Sequence, residues 1–395
     1  MLAQVAEHLA SHRADPIPGL PPFQGGVAGF LGYEFGRRLE RLPPPRADDL
    51  KLPDAWFGAY EWVVTWDHLQ GRAWVVAREA GTRGRGDAGT SAPARIQDMM
   101  RRLKGPAPAR LAPPAPDGSP SAVRSGFTRD EYLEAVERVR QYILAGDIFQ
   151  ANLSQRFEVP WAGEPFDFYR RLAAANPAPF SAFFQGEGFA VASASPERFL
   201  SVDPTGHVET RPIKGTRPRG DTPDEDRRLA EELVASAKDR AENVMIVDLL
   251  RNDLSKVCEP GSVEVPALCA LESHPTVHHL ESVVTGQLEP GRTAAGLLRA
   301  AFPGGSITGA PKLRAMEILT QLEPVARGVY CGTIGWLGLS GAMDTSIAIR
   351  TVTIQHGRAY FHAGGGIVAD SDPALEHQET LDKAAGIRHA FESAS

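Results

Sequence analysis

Between Phe127 and Val159 the hydrophobic period changes within a few residues from that of a helix to that of a strand, and this handover narrows the possible folds more than any other feature. Thr128-Arg-Asp-Glu131 has the spacing of a capping box, in which the threonine side chain and the glutamate side chain satisfy each other's backbone N–H. Phe127 and Tyr132 flank it at the positions of a hydrophobic staple. Tyr132, Val136, Val139 and Ile143 then recur at helical spacing, and Gly146 is placed to end the helix. Directly afterwards Phe149, Ala151, Leu153, Phe157 and Val159 alternate with Gln150, Asn152, Ser154, Arg156 and Glu158, which reads as a strand with one polar face.

The rest of the chain repeats that grammar in blocks. Residues 20–80 read as β-rich, with Tyr60–Trp66 and Arg72–Ala77 forming a hairpin pattern. Residues 82–125 shift to Pro, Ala, Gly, Arg and Ser, a linker composition with one helical candidate at Ile96–Leu103. Strand-like runs follow at Phe189–Ala194 and Arg198–Val202, then a long helix at Asp224–Leu254. Val329–Leu337, Thr345–Ile354 and Ala359–Val368 read as an antiparallel meander, and a last helix runs from Pro373 to Phe391. Strands joined by short turns, with helices set apart, point to an α+β fold rather than a doubly wound sheet. The division expected is 1–81, a β-rich part; 82–125, a linker; and 126–395, a catalytic domain.

Composition excludes several functions. With 395 residues, 42% of them hydrophobic, the chain can bury a large core. A net charge of −7 gives nucleic acid no electrostatic footing, so an anionic substrate requires locally concentrated positive charge. No apolar run approaches membrane-spanning length. Cys258, Cys269 and Cys331 are odd in number and lack CxxC spacing, which fits a reducing cytoplasm.

Each candidate site residue has a plain reading beside a chemical one. Glu242 lies on the stripe of Ile246 and Leu249, where a carboxylate is costly unless it meets a cation, or else it faces solvent at the stripe's edge. Glu379 precedes Lys383 at i,i+4, the spacing of a surface ion pair. Two such glutamates on separate helices, with water, would also suit Mg²⁺. Gly364, Gly365 and Gly366 interrupt a strand, for a bulge or for close approach of a ligand. Phe302–Lys312 resembles a phosphate loop but breaks the GxxxxGK[ST] pattern at Ala310. Lys214 is a solvated loop lysine, or a nucleophile whose neutral amine is favoured by burial and by neighbouring arginines. His279 is by default structural. Glu197 is a turn carboxylate, or a general acid whose pKa is raised by enclosure.

Taken together and in order, these elements resemble the chorismate-utilising family, which includes anthranilate synthase component I, aminodeoxychorismate synthase component I, isochorismate synthase and salicylate synthase. The matching segments are Asp147–Arg156, Ser195-Pro-Glu-Arg198, Arg211-Pro-Ile-Lys-Gly-Thr216, Asp239-Arg-Ala-Glu-Asn243, Asp248–Asp253, Phe302–Lys312, Tyr330–Trp336, Met343–Arg350 and Ala363–Lys383. Phe23–Gly36 resembles the family's N-terminal part. The resemblance implies an anthranilate synthase component I-like fold of antiparallel sheets packed with helices. Members carry more residues before that segment, so 1–81 reads as truncated. Asn176-Pro-Ala-Pro179 resembles half of a regulatory tryptophan site.

Two positions discriminate among the branches. The water-using branches carry a lysine base where this chain has Gln150, which cannot take a proton at neutral pH. Anthranilate synthases read Pro-Ile-Ala-Gly-Thr where this chain has Lys214, as aminodeoxychorismate synthases do. By this resemblance Lys214 is the nucleophile and Glu197 the general acid, and His279 lies near the C4 hydroxyl. Glu242 and Glu379 hold Mg²⁺. Tyr330 and Arg350 grip a carboxylate, and Ser306, Gly364, Gly365, Gly366 and Lys383 complete the anion site. The implied activity is a transaminase-class conversion of chorismate and ammonia to 4-amino-4-deoxychorismate, for p-aminobenzoate and folate. A separate glutamine amidotransferase subunit would supply the ammonia. Anthranilate synthase component I and a non-catalytic chorismate-binding paralogue are the alternatives.

Overall fold

The computed structural model describes residues 1–78, 91–106, 123–274 and 277–392. Much of the segment read as a linker therefore lies outside the described residues, while its helical candidate is the helix Ala92–Lys104.

The handover at residue 128 forms as its sequence dictates. Thr128 Oγ1 accepts from the Glu131 N–H at 3.3 Å, Glu131 Oε2 accepts from the Thr128 N–H at 2.8 Å, and the helix Arg129–Leu144 follows. The Phe127 and Tyr132 rings meet edge-on at 5.7 Å, closing the staple. Tyr132 is fully buried with Val136, Val139 and Leu153. The strand Gln150–Pro160 then begins, but its polar face is not solvated: Gln150, Asn152, Ser154 and Arg156 are all buried. Buried polar groups must be paired, so this face marks where the chain builds a polar interior.

Among the described residues two antiparallel sheets dominate. The nine-stranded sheet runs in the order Ile213–Pro218, Val277–Gln287, His207–Thr210, Arg198–Val202, Met343–Ile347, Thr333–Gly338, Gly26–Leu31, Ala55–Tyr60, with Glu264–Ser273 also pairing Val277–Gln287. The seven-stranded sheet runs Gly309–Ala310, Gln150–Pro160, Arg358–Ile367, Thr351–Gln355, Phe189–Ser195, Phe180–Gly186, with Arg124–Ser125 on Gln150–Pro160. They meet through Phe30, Val191, Val329, Ile334 and Ala348, and helices cover the outside. The hairpin Trp62–Asp67 with Arg72–Ala77 stands as a separate ladder.

Three elements differ from the expected pattern. The long helix at 224–254 is two helices, Pro223–Ala235 and Ala237–Ser255, because Ser236 turns extended and its hydroxyl accepts from the Asp239 N–H. A serine N-cap of this kind satisfies a backbone N–H that the new helix start would otherwise leave without a partner. The run Thr345–Ile354 is two strands in different sheets, Met343–Ile347 and Thr351–Gln355, with Arg350 between them at φ 48°. The meander thus crosses between sheets. The three glycines do not interrupt their strand: Gly364, Gly365 and Gly366 face Ser154, Leu153 and Asn152 in an unbroken ladder, so there is no bulge. A β-carbon on Gly364 would lie 2.5 Å from the Leu153 carbonyl oxygen, which explains one glycine by backbone proximity alone.

Candidate active site

The polar interior is assembled where the edge strand Ile213–Pro218 of one sheet approaches the glycine run of the other, under the helices Ala237–Ser255 and Pro373–Glu392. Lys214 Nζ donates to the Ser306 carbonyl at 3.1 Å. The Ser306 hydroxyl donates to Glu197 Oε1 at 2.7 Å. One residue of the turn Gly305–Ile307 therefore holds both groups, one through its backbone and one through its side chain.

Enclosure sets their protonation. Burial pushes the Glu197 carboxyl up to about 7, against the Ser306 hydrogen bond and the Lys214 charge, which favour the carboxylate. Burial also lowers the Lys214 amine below the usual lysine range; Glu242 opposes this and Lys383 adds to it. The neighbouring arginines expected to depress it are otherwise engaged, Arg211 with Glu209 and Glu281, and Arg217 with Glu232 and Asp239. Among the described residues no carboxylate lies within ion-pair distance of Lys214.

Glu242 accepts from Gln150 Nε2 at 3.2 Å, and burial raises its pKa against the pull of Lys214. Glu379 pairs with Lys383 at 2.6 Å, and Lys383 Nζ also donates to the Gly364 carbonyl at 2.9 Å. That pair is half exposed, so alone it contributes little stability. A β-carbon on Gly366 would lie 2.1 Å from Gln150 Nε2 and 3.6 Å from Glu242 Oε2. One on Gly365 would lie 3.1 Å from Glu376 Oε2 and 3.3 Å from Glu379 Oε1. Glu242 and Glu379, from two helices, lie near enough for the Glu379 charge to add to the rise in the Glu242 pKa, and two such carboxylates are donors of the type a hard divalent cation takes. Among the described residues no cluster of three or more metal-ligating side chains forms.

His279 is buried, its Nδ1 within 2.9 Å of Thr216 Oγ1; burial, then His274 and Arg350, take its pKa down to about 4, so it is neutral at pH 7. Among the described residues Arg350 has no side-chain hydrogen bond or ion pair, and it is held in the left-handed region between the two sheets. An unpaired guanidinium beside a neutral imidazole suits an incoming carboxylate. Tyr330 is buried and stacks on His362 at 4.9 Å, adjoining this site rather than bonded to the groups above.

Several contributors escaped the sequence reading. Glu376 shares the helix face of Glu379, a spacing of three that could have been noticed. Gln155 and Thr380, joined at 2.5 Å, fix that helix to the strand Gln150–Pro160, and nothing local in the sequence foretells the contact. A concavity of about 640 Å³ between the helix Leu2–Ser11 and the turns near 205 and 291 holds none of these side chains.

A family profile described as chorismate binding enzyme matches residues 2–389. The chain belongs to the chorismate binding enzyme family. Within it, the chain is 48% identical to aminodeoxychorismate synthase component 1 of Salmonella typhimurium over 379 residues, 96% of this chain and 79% of that one. It is 44% identical to anthranilate synthase component 1 of Streptomyces coelicolor over 388 residues, 97% of this chain and 75% of that one. The crystal structure of anthranilate synthase component I from Streptococcus pneumoniae superposes with a TM-score of 0.85 at 35% identity, covering 97% of this chain and 85% of the other. This chorismate binding enzyme therefore has the anthranilate synthase component I fold, as its motifs imply. No described helix is long and apolar enough to cross a membrane, and the three cysteines are free and buried.

Proposed function

We propose that this chain is the chorismate-using component of an aminodeoxychorismate synthase, converting chorismate and ammonia to 4-amino-4-deoxychorismate and water. The observation that carries the reading is Lys214, an amine whose charged form is disfavoured by burial and whose one side-chain hydrogen bond among the described residues is to a carbonyl, in the same enclosure as a carboxyl that is half protonated near neutrality.

In this reading the Lys214 nitrogen bonds to ring C2 as the C4–O bond breaks, and Glu197 gives its proton to the departing hydroxyl, which leaves as water. Ammonia then bonds to C4, the C2–nitrogen bond breaks and Lys214 is restored. The extra proton on the new amine returns to Glu197, so the cycle closes. Arg350 and Tyr330 would bind one substrate carboxylate, and the Gly364–Gly366 backbone, Ser306 and Lys383 the remaining anionic part. His279, neutral, would hydrogen-bond near the C4 hydroxyl. Glu242 and Glu379 would hold Mg²⁺, with Lys383 giving up its present contact to Glu379. When bound, the ion supplies an orienting, Lewis-acid contact to a substrate carboxylate.

The name component 1 shared by the relatives supports a partner subunit, which we take to be a glutamine amidotransferase delivering ammonia. Free cysteines suit a reducing, cytoplasmic setting. Anthranilate synthesis is the second reading, favoured by the relatives of that name at 44% identity. Lys214 separates the two. Purified protein given chorismate, Mg²⁺ and an ammonium salt should release aminodeoxychorismate, identified by mass, and Lys214→Ala should abolish its formation. Anthranilate as the product, or near-normal turnover by Lys214→Ala, overturns the proposal.

A further inference from the structure

The turn that holds Glu197 and Lys214 is itself held from behind by a buried ion pair that has no part in the chemistry proposed above. Arg327 is 3% exposed and spends four N–H groups on three segments of chain. Its Nε and one Nη2 hydrogen form a fork on Glu323, at 2.8 and 2.7 Å. Nη1 donates to the Ile307 carbonyl at 3.0 Å, and Nη2 also donates to the Asn152 carbonyl at 2.5 Å. Glu323, likewise buried, accepts from both the N–H and the hydroxyl of Ser154, each at 2.9 Å.

The receiving positions are informative. Ile307 follows Ser306, whose carbonyl and hydroxyl bind Lys214 and Glu197. Asn152 and Ser154 are the ladder partners of Gly366 and Gly364, so the clamp lies directly behind the glycine run. The guanidinium also sits 4.5 Å from the Tyr33 ring and 6.0 Å from the Tyr330 ring. Its backbone is fixed too, since the Arg327 and Gly328 N–H groups donate to Glu34 at 2.9 Å each.

A buried ion pair is weak evidence for stability, because desolvation offsets its attraction. Stability does not account for a guanidinium that, besides its fork on Glu323, donates to carbonyls of two other segments. Only a planar guanidinium presents donors at those separations; a lysine ammonium is a point charge and cannot span them.

We infer that Arg327, fixed by Glu323, is a positioning residue for the reaction: it locks the Ser306 turn, the strand behind the glycine run and the Tyr330 ring into one unit, and so sets the distance between the Lys214 amine, the Glu197 carboxyl and the substrate. The inference rests on the proposed function for what those groups do, but chorismate consumption reads it whichever product forms.

The test uses the double variant Glu323→Gln/Arg327→Met. It removes both buried charges, keeps an acceptor for Ser154, and fills the guanidinium's space. Thermal unfolding reports folding, chorismate consumption with ammonium and Mg²⁺ gives kcat and KM, and the pH dependence of Lys214 acylation reports the amine's surroundings. A folded double variant should lose about 10²-fold or more in kcat, the effect of a misplacement of about 1 Å, with a smaller change in KM and a shifted acylation profile. Arg327→Lys, which keeps the charge, should fold and still lose more than about tenfold. Near-parental kcat in either variant, or a loss of kcat that follows only the loss of folded protein with the acylation profile unmoved, overturns the inference. Product identity in the unsubstituted enzyme tests the proposed function separately.

Discussion

Replacing Glu197 by glutamine should stabilise the protein at alkaline pH while removing most of its activity. Glu197 is 6% exposed, and its carboxyl is carried from 4.5 to about 7 by burial. Because the folded value lies above the unfolded one, the fold favours the neutral acid. The stability contribution is fully present below about pH 4.5 and is lost as pH rises through about 7. At about 1.4 kcal/mol per pH unit of displacement, the ionised carboxylate costs the fold about 3 kcal/mol at pH 8, and below about 1 kcal/mol at pH 5. A glutamine amide keeps an oxygen for the Ser306 hydroxyl and carries no charge. Denaturant unfolding of both proteins should therefore show Glu197→Gln more stable by about 2–3 kcal/mol at pH 8 and almost equal to the parent at pH 5. Turnover should fall by about 10²–10⁴-fold, the usual worth of a general acid. A stability difference independent of pH would refute the burial argument, and a variant with full activity would refute the acid role.

The glycine run offers a second contrast. Gly364→Ala drives a β-carbon onto a backbone carbonyl and should cost about 1–3 kcal/mol in thermal or denaturant unfolding. Gly366→Ala meets only the movable end of Gln150, so it should keep more of the stability yet lose activity as Gln150 is pushed off Glu242. Chelation should abolish turnover and Mg²⁺ should restore it. Glu379→Gln should weaken Mg²⁺ binding measured by calorimetry; unchanged affinity would remove Glu379 from the metal site.

Local sequence carried a good deal of this fold. The capping box and staple at 127–132 formed as written because each interaction in them spans only a few residues, whereas the strand Gln150–Pro160 needs the distant strand Arg358–Ile367 to complete its ladder. The helix break at Ser236 was also locally encoded, in a serine three residues before Asp239, but a longer helical pattern obscured it. The split at Arg350 left only a small local mark, a shift of the apolar positions from Ile347 and Ile349 to Val352 and Ile354 across Arg350-Thr351, while which sheet each strand joins is settled by partners elsewhere in the chain.

The site divides along the same line. The order and spacing of the motifs pointed to the family, and Lys214 and Gln150 to the branch proposed above. Their environment came from separations no local pattern records: Lys214 meets Ser306 across 92 residues, Ser306 meets Glu197 across 109, and Arg327 meets Asn152 across 175. Sequence therefore determined which chemical groups are available and the local turns, helices and strands that carry them. Tertiary structure alone decided which groups are enclosed together, and with that their protonation, because the cost of a buried charge depends on every neighbour that replaces its water.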